Sequence, residues 1–311
     1  MAVRIGGQAV MEGVMMKNMD RYAVSVRKPD GKIETKVEKC RSIAEDYPVL
    51  KLPILRGVVN FIESMVVGIS TLNYSASFFE EEEEEEPGKL DKIAEKFFSG
   101  KGEKILMALV MIFSFLVSIG LFMILPYLAS EALGRWIRNP YVILLIEGLI
   151  RIGIFLGYIA LISKMEDIRR VFMYHGAEHK TINCLEAGED LIPENVMKHS
   201  RLHKRCGTSF IFIVMIISMV FFFFIRVDTI WLRVLLRLLL LPVVAGVSYE
   251  FIRLAGNSEN WLVQLFSKPG LCLQKLTTKE PDESMIEVAI ASVEGVFDWK
   301  KYLEEERKGH E

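Results

Sequence analysis

Residues 174–209 read YHGAEHKTINCLEAGEDLIPENVMKHSRLHKRCGTS and separate two pairs of strongly apolar segments. The stretch contains four of the five histidines and two of the four cysteines. Hydrophobic residues make up 51% of the 311-residue chain and are concentrated between Ile105 and Ala255. We therefore expect a membrane protein that carries a polar, histidine-rich loop between its membrane segments.

The apolar runs predict four membrane spans, since about 20 apolar residues are needed to cross a hydrocarbon core of ~30 Å. We place the spans at 104–130, 141–163, 208–226 and 230–255. The segment 52–79 is also apolar, but it carries a polar stripe that favours an interfacial or re-entrant helix. The expected fold class is a mainly α, polytopic membrane protein with a small N-terminal β-hairpin and a C-terminal amphipathic helix.

Polar segments are expected on either side of the membrane unit. In the N-terminal part, two alternating runs around a turn at 29–31 predict a β-hairpin. Gly6 and Gly7 lack the later glycines of a dinucleotide-binding loop, so we expect close backbone packing there instead. After Asp282, apolar residues recur at helical spacing, which predicts an amphipathic helix docked on the hairpin or on the membrane bundle.

Composition divides the chain into successive parts. The unbroken glutamate run Glu80–Glu86 predicts a solvated linker. The parts are a β-rich element at 1–51, an interfacial helix at 52–79, an acidic linker with an amphipathic helix at 80–103, a first transmembrane pair at 104–163, the histidine-rich loop at 164–207, a second transmembrane pair at 208–255 and a tail with its helix at 256–311.

Positive charges predict the orientation in the membrane. Lysines and arginines are abundant in the connection from 164 to 205 and sparse in the short turns on the opposite side. We therefore expect a multi-pass protein of the cell membrane with both termini and the histidine-rich loop in the cytosol. The cysteines lack paired spacing, so reduced thiols are expected. Membrane lipid is the expected partner, membrane proteins are further candidates, and no nucleic-acid partner is expected.

Charged residues inside the predicted spans are costly in hydrocarbon, so they should face the bundle interior or an interface. Glu147 and Arg151 are four residues apart, which places them on one helix face where they can neutralise each other. Glu250 and Arg253 lie in the last span. Two interpretations stay open for these residues, a packing ion pair and a polar path for a substrate or ion.

The clearest chemical pattern is the HxxEH string at 175–179. His175 and His179 are spaced by four residues, so on a helix both imidazoles project from one face and can share one metal ion. Glu178 is placed to act as a general base beside that ion. Glu186 returns to the same helix face and is a further candidate ligand on geometry.

The end of the loop offers more ligands. Pro193 can start a second short helix on which His199 and His203 repeat the four-residue spacing, and Cys206 follows His203 by three residues. Two histidines from the first helix with His203 or Cys206 would form a site with one open position, the pattern of catalytic zinc. A divalent metal, with zinc favoured, is therefore the expected cofactor. Cys184 and His199 are not expected to be ligands.

Three strings are similar to motifs of a known family: GGQAVMEGVMM at 6–16, YHGAEHKT at 174–181 and HKRCGTSF at 203–210. The chain thus resembles the YqhQ-like family of uncharacterised bacterial membrane proteins, which are described as predicted metal-dependent enzymes. Lys204 stands where the family pattern has proline, and Cys272 where it has tryptophan.

The resemblance implies a metal-dependent activity without naming a reaction. Glu12 and its neighbouring glycines also fall on a family motif, which implies that the N-terminal strand lies over the loop. Within the loop, the motif positions are His175, Glu178, His179, Lys180, Asn183, Glu186, His203, Arg205 and Cys206.

Three functional hypotheses follow. The first is a metal-dependent hydrolase that faces the cytosol and acts on a lipid or membrane-proximal substrate, with Glu178 as its base. The second is a non-catalytic membrane scaffold in which a closed metal site pins the loop. The third is a carrier that uses the intramembrane charges as its path.

Overall fold

The computed structural model describes residues 5–79, 101–137, 139–204, 206–225, 227, 229–256 and 261–309. The Glu80–Glu86 run and the short helix predicted after it lie outside these residues. The chain divides into two compact units, one formed by Met1–Phe79, Ile159–Ser218 and Leu240–Glu311, the other by Glu80–Tyr158 and Met219–Leu239. The histidine-rich loop belongs to the first unit.

The N-terminal part forms a four-stranded antiparallel sheet in the order β1-β2-β3-β4. The predicted hairpin is confirmed by the pairing of β3 with β4. The two strands before it extend the same meander through a tight turn at Glu12. The strands are β1 Ile5–Val10, β2 Gly13–Asn18, β3 Arg21–Arg27 and β4 Ile33–Lys39.

Helices make up most of the remaining described chain. The connection between α2 and α3 is a single wider turn at Gly120–Ile124. The helices are α1 Leu55–Ala76, α2 Lys101–Ile119, α3 Leu125–Leu133, α4 Pro140–Ile162, α5 Glu166–Glu186, α6 Pro193–Val196, α7 Gly207–Phe222, α8 Ile230–Gly256, α9 Trp261–Thr277, α10 Glu283–Val296 and α11 Trp299–Gly309.

The sheet has a helix layer on each face because its side chains alternate in direction along each strand. Val14 and Met16 of β2 point into a core with α5 and α10. Met15, between them, points to the opposite face, where Val67 and Tyr74 of α1 pack. The apolar face of α10 is buried against the sheet, which confirms the predicted docking of this helix. Its first turn is capped by Asp282, which accepts a hydrogen bond from the backbone of Met285 at 3.0 Å.

Four described helices are long and apolar enough to cross a membrane: Leu55–Ala76, Ala108–Leu133, Tyr141–Ile162 and Ile230–Leu254. The last three coincide with predicted spans. The predicted span 208–226 corresponds instead to α7, whose 16 residues are fewer than the ~20 of a full crossing. The fourth helix of sufficient length is α1, which the sequence predicts to be interfacial.

Helix α1 has one face paired inside the first unit and one exposed apolar face. Its polar stripe is paired inside the first unit: Arg56 with Glu250, Asn60 with Tyr249, and Glu63 with the backbone of Ile43. Its C-terminal half packs on the sheet through small residues, including Gly68 and Ser75. The opposite side exposes Ile62, Met65, Val66 and Ile69. An exposed apolar face is compatible with contact to lipid, and the interfacial position of α1 stays a prediction.

The intramembrane charges form ion pairs. In the second unit Glu147 accepts hydrogen bonds from Arg151 at 2.7 Å and from Arg237 at 2.5 and 3.0 Å, so the predicted pair gains a second arginine. Both guanidinium groups also face the ring of Phe222. In the first unit Glu250 is paired with Arg56. Three of the four charges proposed for a carrier path, Glu147, Arg151 and Glu250, are therefore paired within their own units.

Candidate metal centre

Helix α5 supplies the two histidines of the HxxEH string. It is a separate helix and not a continuation of the preceding membrane helix, because the chain breaks at 163–165 and Met165 is extended before the first turn. The four-residue spacing predicted to bring His175 and His179 together does so, with their ring centroids 4.4 Å apart. Their half of α5 is buried.

Cys206 completes a group of three close donor residues. Its Sγ lies 3.3 Å from Nε2 of His175. One donor atom each from His175, His179 and Cys206 lie within 4.8 Å of one another. Two imidazoles from one helix and a thiol from the end of the loop thus lie close enough together to share one metal ion.

Backbone carbonyls fix the orientation of both imidazoles. Nδ1 of His175 lies 2.9 Å from the carbonyl oxygen of Thr277, and Nδ1 of His179 lies 2.6 Å from that of Arg201. Because a carbonyl oxygen can only accept, each Nδ1 must carry the proton, which leaves the lone pair on Nε2. Among the described residues, Nε2 of His179 is buried and has no hydrogen-bond partner. This arrangement is the usual second shell of a metal-binding histidine.

Burial keeps His179 neutral. Desolvation lowers the pKa of His179 far below its ordinary value, and the neighbouring His175 lowers it further. A neutral imidazole is the form that binds a metal.

Cys206 stands immediately before the first turn of α7. Its sulfur accepts a hydrogen bond from the backbone N–H of Thr208 at 3.4 Å and lies 3.1 Å from the hydroxyl of the same residue. Burial raises the pKa of the thiol, whereas these hydrogen bonds and one from the backbone of Ser209 act in the opposite direction. Donors at a helix N-terminus favour the thiolate, the form that binds a metal.

Glu178 lies at the edge of this group. Its side chain is 6% exposed, and Oε2 lies 4.0 Å from Nε2 of His175. Within the described chain this oxygen has no hydrogen-bond partner. The backbone of Gly7 in β1 hydrogen bonds to the carboxylate, but burial dominates and raises the pKa of Glu178 to about 8.

Gly7 explains the glycine pair of the N-terminal strand. A Cβ atom at this position would lie 2.8 Å from the side chain of Glu178. The expectation of close backbone packing at this pair is confirmed at Gly7, and β1 does lie over the loop. The neighbouring turn is fastened to α5 as well, because Glu12 pairs with Arg170 and accepts a hydrogen bond from the hydroxyl of Tyr174 at 3.2 Å.

The structure places His203 and Glu186 beside the group and pairs them with each other. Nε2 of His203 lies 3.4 Å from Oε2 of Glu186. Burial lowers the pKa of His203 to about 4. The prediction that one short helix carries both His199 and His203 is wrong, because α6 ends at Val196 and both residues lie in irregular chain. Their four-residue spacing therefore has no geometric meaning.

A second His–Cys group lies at the other end of the same loop. Donor atoms of Cys184, Glu189 and His199 are within 4.8 Å of one another, although the sequence analysis set Cys184 and His199 aside. His199 lies 3.3 Å from the carboxylate of Glu189. The sulfur of Cys184 lies 3.9 and 3.7 Å from the carbonyl oxygens of Glu189 and Asp190, and burial raises its pKa to about 12.

Several residues that hold the loop have no role in the sequence prediction. Lys180 donates at 2.9 Å to the carbonyls of both Met197 and His199, and Asn183 donates at 2.6 Å to that of Ser200. Both positions fall within family motifs, and this was the only indication in the sequence that they are important. Arg205, another motif position, lies outside the described residues.

Helix α9 fixes the chain on either side of Cys206. Gln274 accepts a hydrogen bond from the backbone of His203 at 2.9 Å, and donates to the His203 carbonyl at 2.8 Å and the Ser209 hydroxyl at 2.9 Å. From the sequence, the segment before Asp282 is expected to be a polar tail. Its role in holding the ligand loop depends on a contact more than sixty residues away in the chain, which no local pattern encodes.

The fold and this site define a polytopic helical membrane protein with a His/Cys cluster under an N-terminal sheet. Residues 52–299 match the model of a family described as "Protein of unknown function (DUF1385)". The chain belongs to this family. It is 36% identical over 304 residues to "Uncharacterized protein YqhQ" of Bacillus subtilis (strain 168), covering 97% of this chain and 95% of the relative. No solved structure matches.

The YqhQ-like resemblance is therefore confirmed at the level of the family. The family description and the name of the relative assign no metal or activity.

Proposed function

We propose that the protein is an integral membrane, metal-dependent hydrolase whose metal ligands are His175, His179 and Cys206. The observation that carries the proposal is the convergence of these three donors within 4.8 Å, with both Nδ1 atoms committed to backbone carbonyls. Three protein ligands leave a coordination position for water or substrate, as in catalytic sites.

Zinc is the metal that fits this donor set best. Imidazole nitrogen with thiolate sulfur is a common zinc ligand combination, whereas magnesium and calcium prefer oxygen. A bound divalent ion would polarise a water molecule or the oxygen of a scissile acyl or phosphoryl group. His203 and Glu186, which the sequence analysis included among the ligands, are proposed to act as a supporting pair.

Glu178 is proposed as the general base. Its carboxyl group is buried next to the donor group, and the charge of a bound metal ion would counter the burial that raises its pKa, so the carboxylate would be available as a base. In hydrolysis, Glu178 would take a proton from the attacking water and deliver it to the leaving group as the scissile bond breaks. A position beside the three ligands, and not among them, favours this role.

The substrate is proposed to be a lipid or a membrane-proximal molecule because the site is built on helices adjoining membrane segments. The loop and both termini are proposed to face the cytosol on the strength of the charge distribution. Cys272, exposed on α9, allows a test. A membrane-impermeant maleimide should label Cys272 in a variant lacking the other cysteines only after cells are permeabilised. Labelling in intact cells would reverse the proposed orientation.

The competing proposal is a structural metal site that pins the loop, which the deep burial of His179 and Cys206 favours. The two proposals differ at Glu178. In a catalytic site the Glu178 carboxylate is required for the reaction and not for keeping the metal bound. In a closed structural site it would be the fourth ligand, so its loss would release the metal.

The experiment combines metal analysis with lipid hydrolysis. Purified wild-type protein and Glu178→Gln are assayed for bound zinc, then incubated with vesicles of phosphatidylethanolamine and phosphatidylglycerol while released products are followed by mass spectrometry. We expect one zinc per chain in both proteins and product release by the wild type alone. Zinc in wild type with loss from Glu178→Gln would favour the structural site. A wild-type protein without stoichiometric metal would contradict both proposals.

A further inference from the structure

An apolar groove leads away from Cys206. It has a volume of about 580 Å³ and lies in the first unit between α1, the start of α7 and the last turns of α8. Its walls include Phe61, Met65 and Leu72 of α1, with Phe210 and Ile211 of α7. The lining is predominantly apolar, as in sites that bind small molecules.

The groove exists because α1 is tied to its neighbours at both ends. At one end, Gly57 of α1 meets Gly246 of α8, where an added Cβ would lie 2.9 Å from the opposing backbone. At the other end, Gly68 is in contact with the side chain of Gln8 from β1. Between these points α1 is held near α7 mainly through Phe61 and Phe210, whose ring centroids are 5.7 Å apart. Space is left along the helix beside that contact.

The surroundings specify the chemistry of the occupant. Met65 and Ile69 line the groove and are about half exposed, on the exposed apolar face of α1. A groove that opens beside such a face is accessible to the hydrocarbon chains of lipids. Gln8, Ser64 and Cys206 also line the groove, and two of its other polar side chains, Asn60 and Tyr249, are hydrogen bonded to each other at 3.1 Å.

We infer that the groove binds one hydrocarbon chain of a membrane lipid and so presents the polar part of that lipid to the His175, His179 and Cys206 group. Only the presentation of the polar part to this group rests on the proposed function. Binding of the hydrocarbon chain requires only the groove, whereas hydrolysis of the bound lipid would also require the metal. The two parts can therefore be tested in one set of samples.

Gly207 provides a variant that fills the groove. It lines the cavity, and a Cβ atom added there has no heavy atom within 4 Å among the described residues. Gly207→Leu should therefore fold while occupying part of the space. Gly157→Leu is the matched control, since Gly157 is equally open in α4 and lies outside the groove. Met65→Trp is a second groove-filling variant that does not adjoin Cys206.

The probe is a phosphatidylethanolamine with a photoreactive diazirine in one acyl chain. Full-length protein is reconstituted in vesicles containing this lipid, dissolved in dodecyl maltoside, washed to remove loosely bound lipid and irradiated. Labelled peptides are mapped by mass spectrometry, and zinc is measured in the same samples. Thermal unfolding of each variant checks that it is folded.

We expect wild-type label on the groove walls within 61–72 or 207–211. Gly207→Leu and Met65→Trp should lower it by about tenfold or more, because each displaced methylene weakens binding by roughly fourfold. Gly157→Leu should match the wild type, and all variants should keep their zinc. Label that is unchanged in both groove variants, or that lies elsewhere, would overturn the inference. Groove label on a wild-type protein that lacks zinc would support the lipid site and contradict the proposed metal function.

Discussion

The two His–Cys groups of the loop contain similar atoms at similar distances, yet their cysteines have different hydrogen-bonding partners. The sulfur of Cys206 accepts a hydrogen bond from the backbone N–H of Thr208 and also lies near the Thr208 hydroxyl and Nε2 of His175. The sulfur of Cys184 lies against two carbonyl oxygens, which can only accept. Donors stabilise a thiolate, whereas acceptors stabilise the protonated thiol.

This difference assigns unlike roles to the two groups. The hydrogen bond from Thr208 acts against the burial that raises the pKa of the Cys206 thiol, and each nearby histidine has its Nδ1 committed to a backbone carbonyl. Cys184 behaves as a buried thiol that donates its proton, and burial raises its pKa to about 12. Three potential ligands within reach are therefore insufficient to identify a metal site, and the direction of the surrounding hydrogen bonds is the better criterion.

The largest effect is expected from exchanging each cysteine for serine. Cys206→Ser should weaken zinc binding by more than about 100-fold, since loss of a direct ligand exceeds the ~10–100-fold cost of changing a second-shell partner. Cys184→Ser should retain zinc at the wild-type level. Competition with a chromogenic chelator measures both affinities. Equal losses in the two variants would break the proposed distinction between the groups.

Gln274→Leu should give the next largest effect. The variant leaves the buried backbone N–H of His203 without the acceptor that Gln274 provides. It also removes the hydrogen bond that Gln274 donates to the His203 carbonyl. We expect the free energy of unfolding to fall by about 2–4 kcal/mol, because each unsatisfied buried group costs roughly 1–3 kcal/mol. Thermal unfolding in detergent measures this. Lys275→Ala, at an exposed neighbouring position, is the control and should change little.

Gly176→Ala tests the support of the first group from the side of α5. A Cβ atom at Gly176 would lie 2.0 Å from the carbonyl oxygen of Lys279, in the segment that follows the Thr277 carbonyl. The clash should lower stability by about 1–3 kcal/mol. Gly153→Ala, where the added methyl meets open space, is the control and should be neutral or slightly stabilising. An equally tolerated Gly176→Ala would show that this contact does not position His175.

The smallest effect is expected at the neighbouring pair. Glu186→Gln and His203→Gln should change zinc affinity by less than about threefold, below the range of a typical second-shell residue. The reason is that the two side chains are paired with each other at 3.4 Å and lie beside the three-donor group. The same chelator competition measures both. A loss comparable to that of Cys206→Ser would make His203 a ligand.

Local patterns predicted those features in which neighbours in sequence are also neighbours in space. The hairpin of β3 and β4, the amphipathic helix after Asp282 and the shared face of His175 and His179 all depend on a period of two or of about 3.6 residues. The same reasoning failed for His199 and His203, because their spacing has meaning only on a helix and the helix ends at Val196.

The extent of one predicted span also differs from the helix that forms. Hydropathy treats 208–226 as a span, but α7 ends at Phe222. Conversely, α1 reaches span length although half of it packs on the sheet. Hydrophobicity records the preference of a segment for an apolar environment, and it does not record whether lipid or protein provides that environment.

The sequence by itself determined that this is a helical membrane protein with a histidine-rich loop, because apolar length and local periodicity are properties of contiguous residues. Tertiary structure alone decided which cysteine joins His175 and His179, which ring nitrogens carry protons and which carboxylate is buried beside them. These properties depend on the Arg201 carbonyl within the loop and on Gly7, Gln274 and Thr277, which come from distant parts of the chain. Protonation and ligation respond to what surrounds an atom in space, so they could be read only once the chain was folded.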